Sequence, residues 1–245
     1  MIQYEHNAVA MTLSRKRRSA YAVLHGRAAE RNTVMEQRTF EISYKDNSRI
    51  KIGVIPGHFA TNHSHVNYYV DMNSLKRKLK TAAETAKELA AFFRSTPVDT
   101  IVCMEGTQMI GAFVAQELSE GVHNINKDAD INVLTPELDS NNQMIFRDDT
   151  QKMVWGKHIL LLISSASTGW TISRCIECFK YYSGKLVGVG ALFSAIDEVD
   201  GVPVKSIFAP ADLPDYQTHS PAECPMCKAK QKVDALINAY GYSKI

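Results

Sequence analysis

The chain has 245 residues, 45% of them hydrophobic, which is enough to bury a sizeable core and suits one large domain. No apolar run approaches the roughly 18 residues of a membrane span, and no signal-peptide core opens the chain, so a cytoplasmic protein without membrane contact is expected. The net charge of +2 is uneven: residues 1 to 34 hold six Lys or Arg against two Glu, a net +4, which leaves −2 for the remainder and no basic excess for nucleic acid.

Residues 1 to 34 have weak periodicity and the basic cluster Arg15-Lys16-Arg17-Arg18, and are expected to be a poorly ordered extension. From residue 35 the pattern changes. Thr39 to Tyr44 and Arg49 to Ile55 alternate around the turn-rich spacer Lys45-Asp46-Asn47-Ser48, which predicts a β-hairpin with one wet face. Thr61 to Asp71 then gathers His63, His65, Asn67, Tyr68 and Tyr69, side chains that can stack on a flat heterocycle and hydrogen-bond it, or simply form an aromatic strand. His63 and His65 would be neighbours on one strand face.

Leu75, Leu79, Ala82, Ala86, Leu89 and Phe93 follow a 4-3-4-3-4 spacing, which predicts one helix with Ser74 as its N-cap and lysines on the wet face. The strand Val98 to Met104 leads into the loop Glu105-Gly106-Thr107-Gln108 and a helix carrying Ile110, Phe113, Val114 and Leu118. A third strand is expected at Ile131 to Thr135, followed by a polar, mobile stretch from Glu137 to Lys152.

The most informative segment is Trp155 to Thr171. His158 to Ile163 is an unalternating apolar run, which suits a strand buried on both faces of a parallel sheet. It gives way to Ser165-Ala166-Ser167-Thr168-Gly169-Trp170-Thr171, a turn at the start of a helix that carries Ile172, Ile176 and Phe179. Backbone N–H groups, hydroxyls and a glycine at the positive end of a helix dipole would hold a phosphate; the plainer alternative is a capped turn common to α/β proteins. Strands at Leu186 to Ile196 and Val204 to Ala209 complete a mostly parallel α/β sheet flanked by helices.

After a Pro-rich link, residues 211–245 form a C-terminal appendage with Cys224-Pro225-Met226-Cys227 and a helix bearing Val233, Leu236, Ile237 and Tyr240, stopped at Gly241. Five cysteines, an odd number in a chain too long to need staples, argue for thiols or metal ligands over a disulfide framework. Cys224 and Cys227 supply two soft ligands of the four a structural zinc needs, and His219 or the pair Cys175 and Cys178 would complete the set; a redox dithiol and plain core packing are the alternatives. Cys103 is expected in the core.

Over residues 37 to 210 the chain resembles the type I phosphoribosyltransferases, and within them the orotate branch. Trp155 to Thr171 resembles the family's diphosphoribose-binding signature of hydrophobic strand, two acidic residues, two spacers, Thr-Thr-Gly and helix. The resemblance makes residues 37–71 a small β hood over the base, with His63, His65, Asn67, Tyr68 and Tyr69 as base-pocket candidates. It assigns Ser165 to Thr171 to the ribose 5-phosphate and Glu105, Gly106, Thr107 and Gln108 to the pyrophosphate. It further implies a homodimer, and magnesium with phosphoribosyl diphosphate if the protein is active.

The departures fall on charge. Ile163 and Ser164 stand where the family carries its acidic pair, and Glu137 to Lys157 holds four acids against Arg147, Lys152 and Lys157 where the family has a basic loop. Two charge-assisted hydrogen bonds, at about 1.5–3 kcal/mol each, correspond to roughly 10² to 10⁴ in rate. The expected function is binding of a 5-phosphorylated ribose ligand with transfer chemistry weakened or lost. The alternatives are an active orotate phosphoribosyltransferase and a zinc-stabilised dimeric interaction module.

Overall fold

Alternating side chains along Phe40–Tyr44 (β1) and Asn47–Ala60 (β2) form the expected hairpin, and Ile50, Ile52 and Val54 point inward on β2. In the computed structural model, which describes residues 35, 37–121, 124–140 and 143–245, β2 pairs antiparallel with His65–Asp71 (β3). The basic extension 1–34 lies outside the described residues. Pro56 cannot donate to the ladder, and a bulge between Pro56 and Phe59 shifts the register there. Glu41–Ile245 form one compact unit.

The helix expected from Leu75 is two helices, Asn73–Arg77 (α1) and Leu79–Ala91 (α2), separated by Lys78 in an extended conformation. Leu79 is 66% exposed, and the Ser74 hydroxyl donates to the Asp71 carbonyl (3.0 Å) instead of capping a helix. The reason is tertiary. Lys76, expected on the wet face, is buried with its ammonium on three oxygens, and a separate short helix gives it that direction.

Thr100–Cys103 (β4), Gln108–Glu120 (α3) and Asn132–Leu134 (β5) follow as expected. The polar stretch beyond carries more structure than its composition suggests. Glu137–Leu138 (β6) pairs with Met144–Ile145 (β7), Asp148–Gln151 (α4) follows, and the buried Phe146 ring packs on Phe179 and Tyr182. His158–Ala166 (β8) is central in the second sheet, with Ile159 to Ile163 at most 1% exposed, as an unalternating run requires.

Trp170–Tyr181 (α5), Lys185–Ser194 (β9), Glu198–Val199 (β10) and Val202–Phe208 (β11) complete that sheet in the order β10-β11-β9-β8-β4-β5. All its pairings are parallel except β10 with β11. This is the mostly parallel α/β sheet with flanking helices read from the sequence. Cys175 and Cys103 are buried in its core.

The C-terminal appendage differs from expectation. Thr218–His219 (β12) joins β3, Cys224 caps the short helix Pro225–Lys228 (α6) that contains Cys227, and the segment expected to be helical is a hairpin of Ala235–Asn238 (β13) and Gly241–Lys244 (β14). Strand β13 adds in parallel to the edge of β2, Ala235 opposite Phe59. The apolar residues at 233, 236, 237 and 240 fit a helix by spacing, but the open edge of β2 offers backbone partners that a helix would leave unpaired. Ala235 is accordingly buried, whereas Leu236 is exposed. The hood is thus six strands, in the order β12-β3-β2-β13-β14 with β1 on β2.

Candidate functional site

The C-terminal end of β8 opens into a cleft of about 300 Å³ between the two sheets. Ser165 and Ala166 end the strand, Ser167 and Thr168 make the turn, and Gly169 occupies the N-cap position of α5 in the left-handed region, φ 76°. A Cβ on Gly169 would stand 2.8 Å from Val199 Cγ2, so glycine is required by both conformation and space. All seven residues from Ser165 to Thr171 line the cleft. The hydroxyls of Ser167, Thr168 and Thr171 have no hydrogen-bond partner among the described residues. Together with the unpaired N–H groups of the first turn of α5, they form a donor cluster at the positive end of a helix.

The neighbouring turn, after β4, behaves differently. Glu105 and Gly106 take consecutive left-handed conformations, φ 57° and 80°, which turn the Glu105 side chain back into the protein. Its Oε2 accepts from the backbone N–H of Ser164 (2.9 Å) and Ser165 (3.4 Å). Burial raises its carboxyl pKa, opposed by these two N–H groups and the charge of Lys76. Lys76 Nζ donates to the Glu105 carbonyl (2.9 Å), Ser164 Oγ (3.1 Å) and the Ala239 carbonyl (2.6 Å), and burial lowers its pKa. Of the pyrophosphate-loop candidates, Glu105 alone lines the cleft. Thr107 is buried with its hydroxyl on the Met104 carbonyl (2.8 Å), Gly106 lies near Lys76, and Gln108 starts α3 exposed.

Among the base-pocket candidates, His63, Tyr68 and Tyr69 line the cleft, and His65 and Asn67 do not. His63 sits in the turn before β3, so the expected pairing of His63 with His65 on one strand face is not seen: the His63 ring lies 5.2 Å from Trp170. The Arg174 guanidinium lies 4.7 Å from the same indole. Asn67 ties down the following loop, donating to the Asp215 carbonyl (2.7 Å) and accepting from Gln217 N–H (2.7 Å). Tyr69 packs on Tyr242, and burial raises the pKa of its phenol. Phe193 and Tyr216 extend the aromatic wall, their rings 5.3 Å apart.

Among the described residues lining the cleft there is no lysine or arginine, and Glu105 is the one carboxylate. Ile163 and Ser164, at most 1% exposed, sit at its base with no carboxylate of their own. The arrangement can hold an anion through neutral donors beside an aromatic wall. It offers no free carboxylate to steady positive charge on a sugar.

Cys224 and Cys227 meet neither His219 nor the Cys175 and Cys178 pair. His219 bonds Gln217 (3.1 Å), and Cys175 and Cys178 pack in the core of the other sheet. Their neighbours are His58 and His65, and one donor atom from each of the four lies within 4.8 Å of every other. His58 escaped sequence reading because the bulge at Pro56 breaks the inward alternation of β2. Lys76 also escaped, although Met72 and Lys76 are four apart and so share a helical face.

No protein-family model matches the chain. The orotate phosphoribosyltransferase of Desulforamulus reducens is 24% identical over 176 residues, covering 71% of this chain and 84% of that protein. That of Caldanaerobacter subterraneus subsp. tengcongensis is 23% identical over 175 residues, covering 70% and 84%. Among solved structures, Leishmania donovani UMP synthase superposes with a TM-score of 0.50 at 16% identity, over 65% of this chain and 34% of that one. The chain is therefore a distant homologue of the orotate phosphoribosyltransferases with a type I phosphoribosyltransferase fold.

Proposed function

We propose that the protein binds a 5-phosphorylated ribose compound, phosphoribosyl diphosphate or a nucleotide, in the cleft at the end of β8, with transfer activity weakened or lost. The observation that carries this reading is the contrast within the cleft: Ser167, Thr168 and Thr171 keep their hydroxyls free, while Ile163 and Ser164 provide no carboxylate and Glu105 is tied to backbone N–H groups. Binding then outlasts catalysis. The aromatic wall of Tyr68, Tyr69 and Tyr216 suits the base, and the donor cluster suits the phosphate.

The cleft does not fit a resident magnesium ion, since its single carboxylate is already engaged and magnesium prefers several oxygen ligands. Magnesium belongs to this reading only as an ion carried by phosphoribosyl diphosphate. A structural zinc ion belongs with Cys224 and Cys227. No helix among the described residues is long and apolar enough to cross a membrane. We read the protein as a cytoplasmic homodimer acting as a sensor or accessory of nucleotide metabolism, without nucleic acid as partner.

Calorimetric titration with phosphoribosyl diphosphate, ribose 5-phosphate and common nucleotides, with and without magnesium, tests the binding. Turnover with orotate tests the loss, expected at least about a hundredfold below an ordinary rate of roughly 10 per second. The active-enzyme reading draws on one observation, the Glu105 carboxylate beside the N–H groups of Ser164 and Ser165, close to where the acidic pair is missing. Orotidine monophosphate formed at an ordinary rate, and abolished by Glu105→Gln, would establish that reading instead.

A further inference from the structure

We infer that His58, His65, Cys224 and Cys227 form a tetrahedral site for one zinc ion, and that this ion docks the C-terminal hairpin onto the hood as a wall of the cleft. The four side chains come from β2, β3 and the two ends of the Cys-Pro-Met-Cys turn at α6. Tetrahedral zinc with bonds of about 2.3 Å to sulfur and about 2.05 Å to nitrogen sets its ligand atoms about 3.3 Å (N to N) and about 3.6 Å (N to S) apart. His58 Nε2 lies 3.0 Å from His65 Nδ1 and 3.6 Å from each sulfur, and Cys227 Sγ lies 3.2 Å from His65 Nδ1. These four spacings match edges of that tetrahedron to within a few tenths of an ångström, and the other two, from Cys224 Sγ to Cys227 Sγ and to His65, are within 4.8 Å.

The surroundings complete the chemistry. His58 Nδ1 lies 2.9 Å from the Gln231 carbonyl, which can only accept, so that nitrogen carries the proton and Nε2 presents its lone pair to the other three ligands. Two thiolates neutralise the charge of the ion, so the site can be buried at Cys224 and His58 without a net charge. Two thiols and two imidazoles suit zinc and exclude the oxygen-loving magnesium and calcium.

The site stands at the root of the appendage. Six residues after α6, Asp234 N–H donates to the His58 carbonyl (2.7 Å), Asp234 Oδ2 accepts from His58 N–H (2.9 Å), and β13 adds to β2. Ile237, Asn238 and Ala239 beyond it line the cleft, and the Ala239 carbonyl holds Lys76. A two-stranded hairpin joined to the sheet through only two residue pairs would fray, and a metal bond set fixes where the added hairpin begins.

Purified full-length protein without a polyhistidine tag should contain about one zinc per chain by elemental analysis. Its cobalt-substituted form should show thiolate-to-metal charge transfer and the intense visible bands of tetrahedral coordination. Cys227→Ser, an exposed position, and His65→Asn should each lower zinc affinity at least about tenfold, whereas Cys178→Ser should leave it unchanged. Chelation should lower the melting temperature by roughly 10 °C and open residues 229 to 245 to limited proteolysis. Failure of reduced protein to take up zinc or cobalt, or stoichiometric metal surviving in a Cys224→Ser, Cys227→Ser double variant, would overturn the site. Metal removal that changes neither melting nor proteolysis would overturn the docking role. Neither readout uses a phosphoribosyl ligand, so each stands apart from the fate of the binding proposal.

Discussion

Two strand-to-helix turns lie side by side at the same edge of the parallel sheet, one after β4 and one after β8, and they have taken opposite electrostatic courses. Both bend through a left-handed glycine, Gly106 at φ 80° and Gly169 at φ 76°. The turn after β8 points its hydroxyl and N–H donors into the cleft. The turn after β4 points its one charged group inward, where the Glu105 carboxylate consumes the N–H groups of Ser164 and Ser165. Similar backbone courses thus make one turn whose donors stay open and one whose carboxylate occupies two amides at the end of its neighbour's strand. What a turn of this kind binds is decided by the side chain that reaches the amides first.

The largest effect is expected at Gly169. Gly169→Leu forces a bulky side chain into the left-handed region and against Val199, and should abolish ribose 5-phosphate binding by calorimetry, a loss of at least about a hundredfold, with about 1–3 kcal/mol of stability lost in urea unfolding. Next comes Lys76, which links the two turns. Lys76→Met strips a donor from the Glu105 and Ala239 carbonyls and from Ser164 Oγ, and should cost about 2 kcal/mol of stability.

Glu105→Gln alters the turn after β4 without touching the turn after β8. It keeps an acceptor for Ser164 N–H and removes negative charge from the cleft, so affinity for ribose 5-phosphate should rise about tenfold. The wild-type pKa is raised by burial, so the folded state holds the Glu105 proton more tightly than the unfolded chain does. Its contribution to stability is therefore greatest at low pH and declines as pH rises from about 4.3 through the raised folded value. Unfolding midpoints measured across that window should slope less in Glu105→Gln.

The smallest effect is expected at the far end of the same two strands. Asp99, before β4, accepts from His158 N–H (2.7 Å) and lies 2.9 Å from its ring nitrogen at the start of β8. Burial pushes its pKa up, but the two bonds from His158 outweigh this and hold it below the usual range. Its stabilisation is present above about pH 3.9 and is lost as pH falls through the depressed folded value. The side chain is 41% exposed, so Asp99→Asn should cost less than about 1 kcal/mol at neutral pH and leave ligand affinity unchanged.

The parallel sheet and the turn at its end were legible from local sequence alone. An unalternating apolar run such as His158 to Ile163 has no wet face to offer, and a cluster of small hydroxylic residues around glycine before an amphipathic run can only be a strand-to-helix turn. The period of a single element is local information, and these elements needed nothing more. Lys76, Glu105, His58 and the final hairpin were decided by tertiary structure. Lys76 is buried only because three oxygens from distant parts of the chain converge on it, and Glu105 turns inward only because β8 presents two N–H groups within reach. The apolar spacing from Val233 to Tyr240 suits a helix, yet β13 forms because the edge of β2 lies open beside it. His58 and His65, seven positions apart, meet Cys224 and Cys227, which lie 166 and 169 positions from His58, a distance over which no periodicity carries. Backbone pairing at a sheet edge and the satisfaction of buried polar groups depend on partners far along the chain, and only the folded molecule specifies which partners those are.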